Sequence, residues 1–186
     1  GEKMLKSLLF VVGVLLCAKM SFAGNHVEIK DLRKNLSDPK KALSDLYSTP
    51  EKWVYVMKQI EIGKSDWVKL WPDFRKVSDA GASEELDLAM SHLIGNNTNL
   101  ALRTIKEAWH EEEAKIITEQ VCRITGNEVQ ESEGLMPEEE KKVALKRIHR
   151  SISGLLKVKA NGLSKLKKIC MNAVKKSEAF WDKRKS

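Results

Sequence analysis

Metal and nucleophilic chemistry has few residues to draw on in this chain of 186 residues, which holds four histidines (His26, His92, His110 and His149) and three cysteines. The run His110-Glu111-Glu112-Glu113 has the composition of a zinc or acid–base site. A zinc-protease helix, however, needs a second histidine four residues after the first, on the same face, and Ala114 stands there. The run therefore reads as a solvated acidic helix turn, and His149, between Ile148 and Arg150, as solvent-facing. Glu84, Glu85 and Asp87 are the carboxylates on which a wall-cleaving enzyme would draw. Adjacent helical residues point about 100° apart, so they make no facing acid–base pair. Stabilisation of a helix start explains them instead. Neither a Gly-x-Ser-x-Gly nucleophile turn nor a Gly-x-x-x-x-Gly-Lys phosphate loop occurs. No catalytic residue, metal ligand or cofactor is expected.

The remaining chemistry lies in cysteines and aromatics. Cys122 and Cys170 lack Cys-x-x-Cys spacing, which disfavours a redox role, and two isolated cysteines make a poor metal site. In an oxidising compartment they are expected to form a disulfide, the alternative being two buried thiols. Trp67 and Trp71 stand one helical turn apart, with Phe74 just beyond Pro72. They are a candidate aromatic patch for stacking on sugars or anchoring a partner, and core packing is the competing reading.

These residues must be positioned by helices, because no stretch shows strand alternation. Ser37-Asp38-Pro39 and Thr49-Pro50-Glu51 are helix starts. Trp53, Val56, Met57 and Ile60 recur at helical spacing before the stop at Gly63. A short helix carries Trp67, Leu70 and Trp71, and Pro72 kinks or ends it. The next runs through Leu86, Met90, Leu93 and Ile94 to Gly95-Asn96-Asn97, where Thr98 is expected to cap its successor. Ile116, Ile117, Val121 and Ile124 mark another helix, followed by an acidic loop over 126–136. Pro137 and three glutamates open a helix with Ile148, Ile152, Leu155 and Leu156 on its apolar side, and Leu163 to Trp181 form the last. The fold class is all-α: a single domain of about seven helices, either an irregular bundle or stacked helical hairpins.

Charge is sharply divided. Residues 24–140 carry 15 basic and 23 acidic side chains, residues 141–186 carry 15 basic and 2 acidic, and the whole chain is at +7. Lys146, Arg147, Arg150 and Lys157 on one helix, with Lys165, Lys168, Lys175 and Lys176 on the next, form the candidate binding surface. Such a surface suits an acidic partner protein or an anionic membrane, unless the chain's own acidic part packs over it. Nucleic acid is disfavoured: no recognition motif is present, and the start of the chain points to export.

That start is a basic residue, Lys6, then 11 apolar or small residues from Leu8 to Ala18, then Ser21 and Ala23. With Met4 as the translational start, this is a cleavable signal peptide ending at Ala23. Lys19 closes the run well short of the roughly 18 residues that a membrane span needs. Acylation at Cys17 is disfavoured because Leu16 is bulky, and a buried N-terminal helix is the remaining alternative. The mature chain, 24–186, is then expected in the periplasm.

The segment Trp67 to Ile105, with its Ser78-Asp79-Ala80-Gly81-Ala82 turn and Asn96-Asn97-Thr98-Asn99-Leu100-Ala101-Leu102, resembles small exported all-helical proteins of Gram-negative bacteria. The pairing of Val121-Cys122 with Ile169-Cys170-Met171 is similar to that group as well. The resemblance implies an envelope location and a helical fold, and no reaction. By analogy of fold, some disulfide-bonded periplasmic helical proteins act as immunity partners of secreted wall-degrading toxins. The expected function is non-catalytic binding of another macromolecule, a protein; the competing class is a cell-wall or lipid-acting enzyme whose site is dispersed in sequence.

Overall fold

The computed structural model describes residues 27–125 and 137–183, so the signal-like segment and the acidic loop expected over 126–136 lie outside the described residues. Every described element is helical: α1 (Ile29–Asn35), α2 (Pro39–Tyr47), α3 (Pro50–Glu61), α4 (Ser65–Val68), α5 (Trp71–Val77), α6 (Ala80–Ala108), α7 (Glu111–Ile124), α8 (Pro137–Lys157) and α9 (Ser164–Lys183), with a 3₁₀ turn at Asn161–Leu163. The all-α single domain expected from sequence is the fold observed.

Local chemistry sets the boundaries. Asp38 Oδ1 accepts from the Lys41 amide at 3.0 Å, and Pro39 occupies the first turn of α2, which has no intrahelical use for its missing N–H. Thr49 stands before α3, but its hydroxyl donates to the Asp45 carbonyl rather than capping. Gly63 ends this segment at φ +77°, a left-handed conformation that favours glycine. Pro72 does not terminate a helix that holds Trp71. It sits in the first turn of the separate helix α5.

One boundary falls where expected but is capped by a different residue. Residues 80–108 are two helices joined at a kink at Asn97 (φ −149°, ψ 74°), which is the division expected at Gly95-Asn96-Asn97. Asn97 Oδ1 accepts from the Leu100 amide and so caps the second half, the job expected of Thr98. Thr98 turns inward and donates to the Ile94 carbonyl at 2.7 Å, satisfying an acceptor that the kink exposes.

The topology follows from which ends meet. Helices α6 and α7 form one antiparallel hairpin and α8 and α9 a second. The hairpins stack side by side, α8 running parallel to α6 and α9 parallel to α7. Ser151 and Gly154 of α8 lie against Gly95 and Thr98 of α6. Cys122 of α7 is disulfide-bonded to Cys170 of α9, with Cα atoms 5.2 Å apart and both residues fully buried. Ser177 donates to the Arg123 carbonyl further along the same pair. Helix α3 lies on the other side of α6, also parallel to it, joined through Trp53–Glu85 and Glu61–His92. One layer is thus α3–α6–α8, and α7–α9 cover its second half.

The core is continuous. Trp71, Phe74, Leu86, Met90, Leu93, Ile94, Leu102, Ile105, Ile148, Leu155 and Trp181 are all fully buried. Two residues assigned to apolar stripes face water instead: Ile116 and Leu156 are 59% and 66% exposed. The buried stripe of α8 is Ala144, Ile148, Ser151 and Leu155, one step away from Leu156. No helix among the described residues is long and apolar enough to cross a membrane.

Candidate functional site

The aromatic patch is not a surface. Trp67 is 8% exposed, and Trp71 and Phe74 are completely buried. Trp71 Nε1 donates to the Leu86 carbonyl at 2.9 Å, and its ring meets Trp109 edge-on at 5.2 Å. Trp67 packs edge-on to Tyr55. Helical spacing places all three on the inward face, where the first half of α6 covers them, so core packing is their role.

The carboxylates near the start of α6 diverge, as their spacing requires. Glu85 accepts from the Tyr47 hydroxyl and the Trp53 indole, tying α2 and α3 to α6. Asp87 is buried and takes two hydrogen bonds from Arg75, at 2.8 and 3.1 Å. Burial pushes the Asp87 carboxyl above its ordinary pKa, and the Arg75 hydrogen bonds and charge recover only part of that. The cap is Asp79, whose Oδ1 accepts from the Ala82 amide. Thus Glu85 and Asp87 are tertiary ties rather than helix-start stabilisers.

The His110 run opens α7 at the surface. Glu111 reaches Lys165 at 2.7 Å, and Lys115 pairs with both Glu111 and Glu112. Hydrogen bonds and charge from Lys165 and Lys115 hold the Glu111 carboxyl below its usual range. His149 is exposed, with Nε2 3.1 Å from Glu178. No group of three or more histidines, cysteines or acids able to hold a metal occurs among the described residues.

The basic residues of the last hairpin are mostly exposed on its two helices. Lys146 and Lys157 are exposed on the side of α8 opposite Ala144, Ile148 and Leu155, and Arg150, also exposed, lays its stem toward Gly95 of α6. Lys165, Lys168, Lys175 and Lys176 are exposed along the side of α9 opposite Cys170, Ala173 and Trp181. Lys165 pairs with Glu111, whereas Lys146, Arg150, Lys157, Lys168, Lys175 and Lys176 make no ion pair among the described residues. Among the described residues, the acidic part of the chain packs against the inner faces of α8 and α9 and leaves these side chains in solvent. A terminal hairpin needs a polar outer face for solubility, but solubility does not require a single sign of charge.

Arg147 departs from that group. It is half-buried and turns toward a polar cleft of about 220 Å³ that sequence reasoning missed. The walls are the end of α3, the middle of α6, Thr125 after α7, and Arg147, Arg150 and Ser151 of α8. Glu61 is its organiser. Its Oε1 lies 2.8 Å from His92 Nδ1, its Oε2 3.0 Å from Lys58 Nζ, and its backbone carbonyl accepts from the Asn96 side chain at 2.8 Å. Burial pushes the Glu61 carboxyl upward, and hydrogen bonds and charge from His92 and Lys58 outweigh it, leaving the pKa below its ordinary value. An ionised carboxylate only accepts, so the ring proton of His92 sits on Nδ1. Ser91 and Thr125 hydroxyls pair at 3.3 Å, and the side chain of Ser151 is buried beside them. The parts of this cleft are spread along the chain from Lys58 to Ser151, so no spacing rule finds it.

Comparison with protein-family models, curated proteins and solved structures finds no match for the chain.

Proposed function

We propose that the chain is an exported, non-catalytic helical protein that binds another macromolecule, an acidic protein, through the outer face of α8 and α9. The observation that carries this reading is unneutralised charge of one sign. Lys146, Lys157, Lys168, Lys175 and Lys176 stand in solvent without an ion pair among the described residues, on a hairpin whose inner faces are fully used in packing. Fixed like charges a few ångströms to a Debye length apart repel one another, and an acidic partner relieves that repulsion while gaining on-rate from long-range attraction. The rigidity of the hairpin, pinned to α7 by the Cys122–Cys170 disulfide, favours recognition by a preformed surface. Export is supported by the signal-like residues 4–23 and by a buried disulfide, which persists in oxidising compartments.

The test is affinity capture from an envelope extract at low and moderate salt. The expected result is an acidic protein retained at low salt and released as salt rises. Retention of nothing at low salt contradicts the reading.

A further inference from the structure

We propose that the cleft between α3, α6 and α8 is an oxyanion site that takes a phosphate group. Among the described residues, Lys58, Arg147 and Arg150 bring positive charge to its lining and Glu61 brings a carboxylate. That carboxylate is already engaged by Lys58 and His92, so it is held by the walls rather than offered to a ligand. The neutral donors arrive from other directions: Ser91 and Asn96 from α6, Thr125 from the end of α7, Ser151 from α8. A planar carboxylate has two oxygens and uses donors from one side. A tetrahedral oxyanion presents oxygens all round, which matches donors converging from four elements. Guanidinium groups suit phosphate because their N–H pairs bind two oxygens at once.

The backbone makes room for this. Gly95 lets α8 approach α6 so closely that a Cβ there would stand 3.3 Å from Ser151 Oγ and 3.7 Å from the Arg150 stem. The stem is thereby laid across α6 beside the cleft, with its guanidinium free of any ion pair among the described residues. At about 220 Å³ the cleft exceeds what the bare ion needs and leaves space for part of an attached organic group. The phosphate can belong to the free ion, a soluble phosphomonoester or a phospholipid headgroup, and the experiment separates these.

The experiment is calorimetric titration of the full chain with inorganic phosphate and with glycerol 3-phosphate, and sedimentation with phosphatidylglycerol vesicles, against acetate at matched ionic strength. The expected result is saturable one-to-one binding of a phosphate probe that acetate does not reproduce. Phosphate alone binding as well as its ester identifies the free ion as ligand; tighter binding of glycerol 3-phosphate identifies a soluble ester; retention on vesicles without binding of either identifies a headgroup. Arg150→Gln is expected to weaken binding about tenfold, the scale of one charge-assisted hydrogen bond. Lys175→Gln/Lys176→Gln, on the outer face of α9, is expected to leave it unchanged. Arg150 is exposed, so its variant should fold, and circular dichroism checks this; Lys58→Gln is the second variant. Absence of saturable binding by all three probes, equal binding of acetate, or binding indifferent to both Arg150→Gln and Lys58→Gln overturns the proposal.

Discussion

Gly154 of α8 is pressed against Thr98 of α6: a Cβ on the glycine would come within 2.2 Å of Thr98 Oγ1 and 3.3 Å of the Ile94 carbonyl oxygen. Thr98 cannot swing aside freely, because its hydroxyl is bonded to that same carbonyl at 2.7 Å. The crossing of the two hairpins is therefore built on the absence of a single methyl group.

Gly154→Ala is expected to destabilise the protein in urea unfolding. Overpacking costs about 1–3 kcal/mol, more than the roughly 1 kcal/mol by which alanine favours a helix over glycine. Thr98→Ala in the same chain removes the clashing oxygen, so the double variant should lose less than the sum of the two single ones. Gly154→Ala as stable as the wild type would contradict the close crossing.

The disulfide gives a second expectation. Cys122 and Cys170 are 48 residues apart in the chain, and in the chain-entropy model closing such a loop is worth about 4 kcal/mol. The double alanine variant should lose stability on that scale while keeping its helical circular dichroism. Free thiols at both positions in mass spectrometry of the unreduced protein would refute the bond.

Arg75 and Asp87 tie α5 to α6 through a nearly buried pair. Asp87→Asn weakens the tie to Arg75 but also relieves the cost of burying the carboxylate, which exceeds what Arg75 recovers. It should therefore cost only about 1 kcal/mol, below the usual figure for breaking a buried pair. Replacing both, as Arg75→Met/Asp87→Leu, should cost less than Asp87→Asn alone. If Asp87→Asn is neutral in thermal unfolding, the pair is not a structural tie.

Glu61 predicts a pH dependence with a definite sign. Its folded pKa lies below the ordinary 4.5, so its contribution to stability is present above that value and is lost as pH falls through the lower folded one. Urea midpoints measured from pH 6 to pH 3 should fall less steeply in Glu61→Gln than in the wild type. Equal slopes would mean that His92 and Lys58 do not hold the carboxylate in its ionised form.

How much of this was legible in sequence depended on the range of the interaction. Asp38-Pro39 and Gly63 act within one turn, and both are legible from their neighbours alone. The inward face of α3 was equally plain, since Trp53, Val56, Met57 and Ile60 repeat at 3.6 residues. The same periodicity showed Trp67, Trp71 and Phe74 as one cluster but not whether it faced solvent, because burial depends on the first half of α6 lying over them. The break at Asn97 is visible in the sequence, whereas the cap is not: Asn97 takes the Leu100 amide while the Thr98 hydroxyl is bonded to the Ile94 carbonyl. The cleft around Glu61 and His92 was invisible: its walls meet only once α3, α6 and α8 are stacked.

The central claim, that the outer face of α8 and α9 docks an acidic protein, is tested most directly by a matched capture. Wild type and Lys168→Gln/Lys175→Gln/Lys176→Gln are immobilised side by side and exposed to the same envelope extract at low salt. The expected result is an acidic protein retained by the wild type and lost from the triple variant, both chains having the same thermal stability. Identical retention on the two, or none on either, would contradict it.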